Sequence, residues 1–184
     1  TGARYYAPGS TRPTATLGAF YDPTYKGDGL KIKEVLPLGP LGGAKSDFKA
    51  GSVILKIDGH PILANQDYSE LLNGKAGKRV LISYKPEGKG KVKEEWIKPI
   101  SSGQEGALLY KRWVKQRQDM TEKLSDGKVG YVHVRGMDSN SFREVYSQLL
   151  GRYRNAEAVI IDTRYNGGGW LHDDVVTLLS GKEY

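Results

Sequence analysis

The stretch that decides the fold is Ala158-Val159-Ile160-Ile161-Asp162-Thr163-Arg164-Tyr165-Asn166-Gly167-Gly168-Gly169-Trp170. It opens with a short apolar run typical of a buried strand, and its three glycines predict a tight turn. Apolar residues then recur at helical spacing at Leu171, Val175, Leu178 and Leu179, which predicts a helix. Such a turn presents backbone N–H groups and a positive helix end to an anion: a phosphate, a carboxylate or the oxyanion of a reacting carbonyl. A plain tight turn is the alternative.

The residues before this stretch extend the same pattern backwards. A long helix is predicted to end near Asp126-Gly127, followed by a strand over residues 129–134 and a helix over residues 139–150. Strands joined by helices of this length predict a parallel sheet with a right-handed crossover. Residues 103–184 therefore read as β-α-β-α, the opening of an α/β domain. Because two parallel strands cannot close a core, we expect a fragment cut inside its second domain.

Residues 15–102 have a different character, with short strands punctuated by turns. One short helix is predicted at residues 66–72, capped by Asn65 and ended by Asn73-Gly74. One helix among antiparallel strands predicts a small β-barrel-like or sandwich module, so the whole chain is predicted to be α+β. Residues 1–14 show no apolar periodicity and predict an irregular lead-in. The predicted strands cover residues 15–21, 30–36, 52–58, 78–84 and 92–97, with a short extended piece at 61–62.

Composition narrows the function classes. Of the 184 residues 38% are hydrophobic and 27% are charged, which is ordinary for a globular protein. The apolar runs fall far short of the ~20 residues of a membrane-spanning helix, so no span is predicted. The chain has no cysteine, which excludes disulfides and thiolate chemistry. The net charge of +7 is spread along the chain, and the sequence contains no recognisable nucleic-acid-binding motif. We therefore predict no nucleic-acid partner, although a basic binder with steep salt dependence is a third hypothesis.

The sequence supports neither a phosphate loop nor a metal site. Residues 39–46 nearly match the phosphate-loop pattern, but Ala44 replaces the second glycine and no room is left for the helix that should follow. The histidines His60, His133 and His172 lack partners at ligand spacing, so we predict neither a metal nor a cofactor. His133, which alternates with valines on a strand, is predicted to be a satisfied structural histidine.

Asp162 and Arg164 lie at the carboxyl end of the predicted strand, where open α/β sheets place their ligand crevices. We predict that they form an ion pair that fixes the loop. Ser139 and Ser141 are predicted to cap the helix that starts beside them.

Residues 15–102 resemble a PDZ domain of the bacterial protease-associated type. Thr16-Leu17-Gly18-Ala19-Phe20 is similar to its carboxylate-binding loop, residues 49–59 to its glycine-containing signature, and residues 66–72 to its groove helix. The resemblance implies that a peptide pairs with the strand edge while loop N–H groups receive its terminal carboxylate. The peptide-binding residues it implies are Leu17, Gly18, Ala19, Phe20, Tyr68, Leu71 and Leu72.

Residues 103–184 resemble the start of the second catalytic subdomain of the tricorn-like, C-terminal-processing serine peptidases. The resemblance rests on residues 110–114, 130–134 and 159–170. It implies that the turn serves an oxyanion hole, with Gly167, Gly168 and Gly169 as its residues in this chain. Asp162, Arg164 and Asn166 are then its structural support.

The same resemblance places the catalytic histidine before Thr1 and the nucleophilic serine after Tyr184. We therefore expect a serine endopeptidase fragment that is inactive alone and whose partners are peptides or unfolded proteins. The full-length protein is expected to form a homo-oligomer. Its expected location is the bacterial cell envelope or periplasm, in preference to the cytoplasm. A non-catalytic PDZ scaffold on a degenerate protease remnant is the alternative hypothesis.

Overall fold

A computed structural model describes residues 12–43, 46–64, 66–88 and 90–181. The predicted lead-in up to residue 11, the predicted cap Asn65, and Ala44 and Lys45 of the near-phosphate loop lie outside the described residues. The chain divides into two compact units, Thr1–Arg112 and Trp113–Tyr184.

The first unit is built on an antiparallel sheet. Its six strands are β1 Ala19–Tyr21, β2 Leu30–Val35, β3 Val53–Ile57, β4 His60–Pro61, β5 Val80–Lys85 and β6 Lys93–Ile97, with 3₁₀ turns at Ser69–Leu72 and Pro86–Gly88. The strands run in the order β1-β2-β3-β5-β6, with β4 paired to β3. In β5 the apolar residues Val80, Ile82 and Tyr84 alternate onto one buried face, as a half-buried strand requires.

This sheet is open, and the barrel-like form predicted from the sequence is not confirmed. The segments that flank the outer strands β1 and β6 meet in one isolated bridge, where Thr16 and Ile100 exchange backbone hydrogen bonds of 2.9 and 3.0 Å. A closed barrel needs a continuous ladder between first and last strands. The described residues form no such ladder.

Two predicted elements of the first unit are shorter in the structure by three residues or more. The predicted helix over residues 66–72 is only the 3₁₀ turn Ser69–Leu72, because the Asp67 carboxylate accepts the Ser69 N–H at 2.9 Å and competes with a helical turn. The predicted strand over residues 15–21 is reduced to β1. Gly18, at φ +69°, breaks the extended conformation just before it.

The second unit contains a parallel strand pair, as the sequence predicted. Its elements are α1 Ser102–Leu124, which begins in the first unit, then β7 Val129–His133, α2 Ser139–Ser147, β8 Ala158–Asp162 and α3 His172–Ser180. β7 and β8 pair in register from Val129 opposite Ala158 to His133 opposite Asp162. The carboxyl ends of both strands therefore lie side by side, at the edge where the glycine turn begins.

The helix between these strands differs from the prediction at both ends. Asp138, and neither Ser139 nor Ser141, is the N-cap: its Oδ1 accepts from the N–H groups of Asn140 at 2.9 Å and Ser141 at 3.0 Å. A carboxylate suits this position because it also faces the positive helix end. The regular helix stops at Ser147 and continues as a π turn over Gln148–Arg152. Within the described part of the chain, no helix is both long and apolar enough to span a membrane.

Candidate functional site

The glycine turn is tied to the segment that follows β7. The Gly167 N–H donates to the Arg135 carbonyl at 3.0 Å, and the Met137 N–H donates to the Gly168 carbonyl at 2.9 Å. Gly169 has φ +139°, and a Cβ there would lie 2.3 Å from the Met137 carbonyl oxygen. Since that oxygen belongs to the backbone and cannot move aside, only glycine fits at position 169.

The three glycine N–H groups differ in what they bind. That of Gly167 is used by the Arg135 carbonyl, and that of Gly168 donates to Oδ1 of Asn166 at 2.6 Å. The N–H of Gly169 has no acceptor among the described residues, and Gly169 is exposed. Among the three glycines of the described turn, Gly169 alone therefore offers a free N–H, whereas the sequence predicts an oxyanion turn made of all three equally.

Asn166 connects the turn to the end of the first parallel strand. Its Nδ2 donates to the carbonyl of Val134 at 2.8 Å while its Oδ1 accepts the Gly168 N–H. Val134 is fully buried, so this anchor point is rigid. The side chain therefore orients the peptide units next to the free donor.

Asp162 and Arg164 form an ion pair at the base of the loop. Asp162 is buried, and its carboxylate accepts from Arg164 Nε at 2.9 Å, from Arg164 Nη2 at 2.5 Å and from the Arg164 N–H at 2.9 Å. The Tyr131 hydroxyl also donates to Oδ2, at 2.5 Å. These bonds, first of all those from Arg164, lower the pKa of Asp162 well below its usual value. Burial, followed by the bond to Asp162, raises the pKa of Tyr131 to about 12.

His133 lies at the end of β7, directly opposite Asp162 in the sheet. Its Nε2–H donates to the Arg164 carbonyl at 2.7 Å, and its ring meets the Trp113 ring edge-on at 4.8 Å. The imidazole is buried and hydrogen-bonded to backbone, which is the environment of a structural histidine. Arg164 thus holds two neighbours at once, the Asp162 carboxylate through its side chain and His133 through its carbonyl.

The residues predicted to bind peptide separate into two groups. Leu17 and Leu72 belong to the core of the first unit, and Ala19, Tyr68 and Leu71 pack against that core. The Gly18 backbone, at φ +69°, lies so close to the next loop that a Cβ would approach Pro40 Cδ to 2.8 Å. Phe20 is on the other face of β1 and is 39% exposed. The structure therefore brings most of the predicted set together but leaves Phe20 outside it.

Sequence reasoning missed two parts of this arrangement. Tyr131 is not among the site residues predicted from the sequence, although the parallel pairing of its strand with β8 brings it within hydrogen-bond distance of Asp162. The acceptors Arg135 and Met137 are backbone carbonyls, which leave no signature in side-chain patterns. Among the described residues no group of three or more His, Asp or Glu side chains could hold a metal ion.

Comparison of the chain with known proteins identifies its family. Residues 23–102 match the tricorn protease PDZ domain, and residues 128–182 match peptidase family S41. The two matches define a protein in which a PDZ module is followed by part of a peptidase unit. The chain is a tricorn-like member of peptidase family S41, a family of serine peptidases.

Individual relatives agree with this assignment. Tricorn protease homolog 1 of Streptomyces coelicolor is 29% identical over 141 residues, which cover 77% of this chain and 13% of the relative. The tricorn protease of Thermoplasma volcanium is 26% identical over 125 residues, 68% of this chain and 12% of the relative. The crystal structure of the tricorn protease shares the fold, with a TM-score of 0.74 at 20% identity over 89% of this chain and 16% of that one. The chain thus spans only a small part of its relatives' length.

Proposed function

We propose that this chain is part of a tricorn-like serine endopeptidase in which the PDZ unit binds a peptide substrate and the glycine turn supplies a donor to the oxyanion hole. The observation that carries the proposal is the free, exposed N–H of Gly169 at the carboxyl end of a parallel strand pair. Ligands of open α/β sheets bind at that edge. The proposed substrates are peptides or unfolded proteins.

The chemistry follows from where negative charge develops. When a serine attacks a peptide carbonyl, the carbonyl oxygen becomes an oxyanion, and a fixed donor at ~2.7–3.1 Å stabilises it more than it stabilises the substrate. The Gly169 N–H is fixed in advance, because Asn166 and the Arg135 carbonyl hold the peptide units on its N-terminal side. One such donor is worth ~3 kcal/mol of transition-state stabilisation, or about a hundredfold in kcat.

The nucleophile and its base are proposed to come from other parts of the full-length protein. In the second unit the hydroxyls of Ser125 and Ser141 are used locally: Ser125 donates to the Thr121 carbonyl at 2.8 Å, and Ser141 donates to the capping Asp138 at 2.9 Å. These bonds suit structural serines. We also propose that this polypeptide by itself does not hydrolyse peptides.

The test compares two glycine variants of the full-length enzyme. Gly169→Ala forces a Cβ against the Met137 carbonyl and moves the donor, so kcat for a fluorogenic peptide should fall by about a hundredfold with little change in KM. Gly167→Ala is the matched control, since its Cβ would meet its nearest neighbour at an ordinary 3.9 Å and its N–H is retained. Full turnover in Gly169→Ala would refute the oxyanion role. A wild-type full-length protein that binds peptides without cleaving them would favour the scaffold alternative.

A further inference from the structure

The loop predicted to bind carboxylates already binds one from its own chain. The Thr16 hydroxyl oxygen accepts the Gly18 N–H at 3.0 Å, and the same hydroxyl donates its hydrogen to the Glu105 carboxylate. Thr16 is partly buried, and Glu105 lies near the start of α1, 89 residues further along the chain. The Gly18 N–H therefore reaches a carboxylate through one hydroxyl. This contact lies entirely within the first unit.

A second contact holds the same helix against the same strand. The Arg112 guanidinium pairs with both Glu34 carboxylate oxygens, with Nη2 2.6 Å from Oε2, and its Cζ lies 5.1 Å from the centre of the Phe20 ring. Glu34 and Phe20 face each other across β1 and β2. Glu105 and Arg112 are seven residues apart, a rise of ~10.5 Å along a helix. Because Glu105 bonds to Thr16 and Arg112 lies over Phe20, the first turns of α1 lie along residues 16–20.

The charge of Glu105 raises the pKa of two tyrosines that contact each other. Tyr21 on β1 and Tyr68 beside the 3₁₀ turn meet edge to face, with ring centres 5.7 Å apart. The pKa of Tyr21 is raised by burial first, then by Tyr68 and by the negative charge of Glu105. The pKa of Tyr68 is raised by burial, by Asp67 and by Glu105. The Glu105 charge thus acts on the space between β1 and the 3₁₀ turn, where the resemblance puts the peptide.

We propose that Glu105 determines the specificity of this loop: it takes the place of a peptide's terminal carboxylate, so that the module rejects free C-termini and accepts internal peptide segments. A second carboxylate beside Glu105 would meet like charge and would find the Gly18 N–H already used. An internal segment brings no charge to this point. It can add its backbone to β1, the terminal strand of the sheet. The inference rests on the proposed function in that it takes the first unit to be the peptide-binding module.

The experiment titrates the 15N-labelled chain with N-acetyl-Ala-Ala-Leu as its free acid and as its amide. Chemical shifts of the Leu17, Gly18 and Ala19 amides report binding at the loop, and the spectrum itself shows that each variant is folded. Glu105→Ala should bind the free acid about tenfold more tightly than the wild type, because a like charge is removed. Glu105→Gln, which keeps an acceptor for Thr16, should fall between them. Binding of the amide should be the same in all three.

Asp119→Ala is the matched control. It removes the same charge from the same helix, at an exposed side chain that, among the described residues, pairs with Lys115, and it should leave free-acid binding at the wild-type level. Equal free-acid affinity in wild type and Glu105→Ala, or free-acid binding to neither, would overturn the role of Glu105. If the amide still binds in that case, the proposed peptide-binding function stands. If neither peptide form binds any variant, both the inference and the peptide-binding function fail.

Discussion

Each unit carries a glycine turn next to a strand, just before β1 in the first unit and after β8 in the second, and in both turns a side chain two residues earlier accepts a glycine N–H. Thr16 accepts from Gly18 at 3.0 Å in the first unit, and Asn166 accepts from Gly168 at 2.6 Å in the second. Such local acceptors are common for Ser, Thr, Asn and Asp in turns. In the second turn a further glycine, Gly169, follows the one whose N–H is accepted, and its own N–H does not bond to Asn166.

The difference shows how one backbone arrangement can be closed or open to a ligand. In the first turn the Thr16 hydroxyl donates a hydrogen bond to Glu105, so a carboxylate of the same chain already lies at this loop. In the second turn the accepting Asn166 is anchored on Val134, which leaves the last donor oriented and unused. The five predictions below alter these two turns or their supports, from the largest expected effect to the smallest.

Replacing Asp162 by Asn should have the largest effect on stability. The change removes the negative charge that accepts hydrogen bonds from Arg164 and Tyr131. A hydrogen bond to a charged group contributes ~1.5–3 kcal/mol to stability. We expect the free energy of unfolding in urea to fall by about 2 to 3 kcal/mol at pH 7. Asp119→Asn, in an exposed pair with Lys115, should change it by less than ~0.5 kcal/mol. Equal effects of the two variants would contradict the assigned role of Asp162.

The same residue predicts the direction of a pH effect. Since folding lowers the pKa of Asp162, its contribution to stability is complete above the unfolded value of ~3.9 and is lost as pH falls below it. Urea unfolding between pH 5 and pH 2 should therefore show a smaller loss of stability for Asp162→Asn than for the wild type.

Gly18→Ala tests whether the first turn depends on its glycine. The residue has φ +69°, and a Cβ would lie 2.8 Å from Pro40 Cδ, so the substitution is both strained and crowded. We expect a loss of about 2 kcal/mol in the free energy of unfolding. Gly43→Ala is the matched control, since a Cβ there meets nothing within 4 Å. Similar stabilities of the two variants would show that the turn tolerates a side chain.

Asn166→Ala tests how far the free donor depends on its support. Loss of the bonds to Val134 and Gly168 should loosen the turn and lower kcat of the full-length enzyme about tenfold with KM unchanged. Asn166→Asp keeps an acceptor for the Gly168 N–H but cannot donate to Val134, and should lie between wild type and Ala. Unchanged kcat in Asn166→Ala would mean that the turn is held by the backbone bonds of Gly167 and Met137 alone.

The main architecture of the second unit could be predicted from the sequence, since its signals are local. The apolar run of β8 and the helical spacing after the glycines lie in one continuous stretch, and the parallel pairing follows from the helix between the strands. The 3₁₀ turn at Ser69–Leu72 could not be predicted, because the Asp67 carboxylate competes with the helix that periodicity suggests.

The details of the two candidate sites could not be predicted from the sequence because they depend on contacts between residues far apart in the chain. Three glycines in a row predict free donors, but which donor is free depends on the Arg135 carbonyl, more than thirty residues away in the chain. The contact between Thr16 and Glu105 spans 89 residues and joins two residue types that occur at ordinary surface positions. Neither partner has a sequence signature, so tertiary structure was required to find both.

Thr16→Val should have the smallest effect on stability, and it removes both hydrogen bonds of this hydroxyl at once. Valine keeps the shape of threonine but neither accepts the Gly18 N–H nor donates to Glu105. Because Thr16 is only partly buried, water can replace these bonds, and we expect a loss of about 1 kcal/mol in urea unfolding. The Gly18 amide should also exchange faster with solvent hydrogen, as measured by NMR. If both values stay at the wild-type level, the hydroxyl does not close the first turn, and the contrast with the open turn at Gly169 would have to come from Glu105 alone.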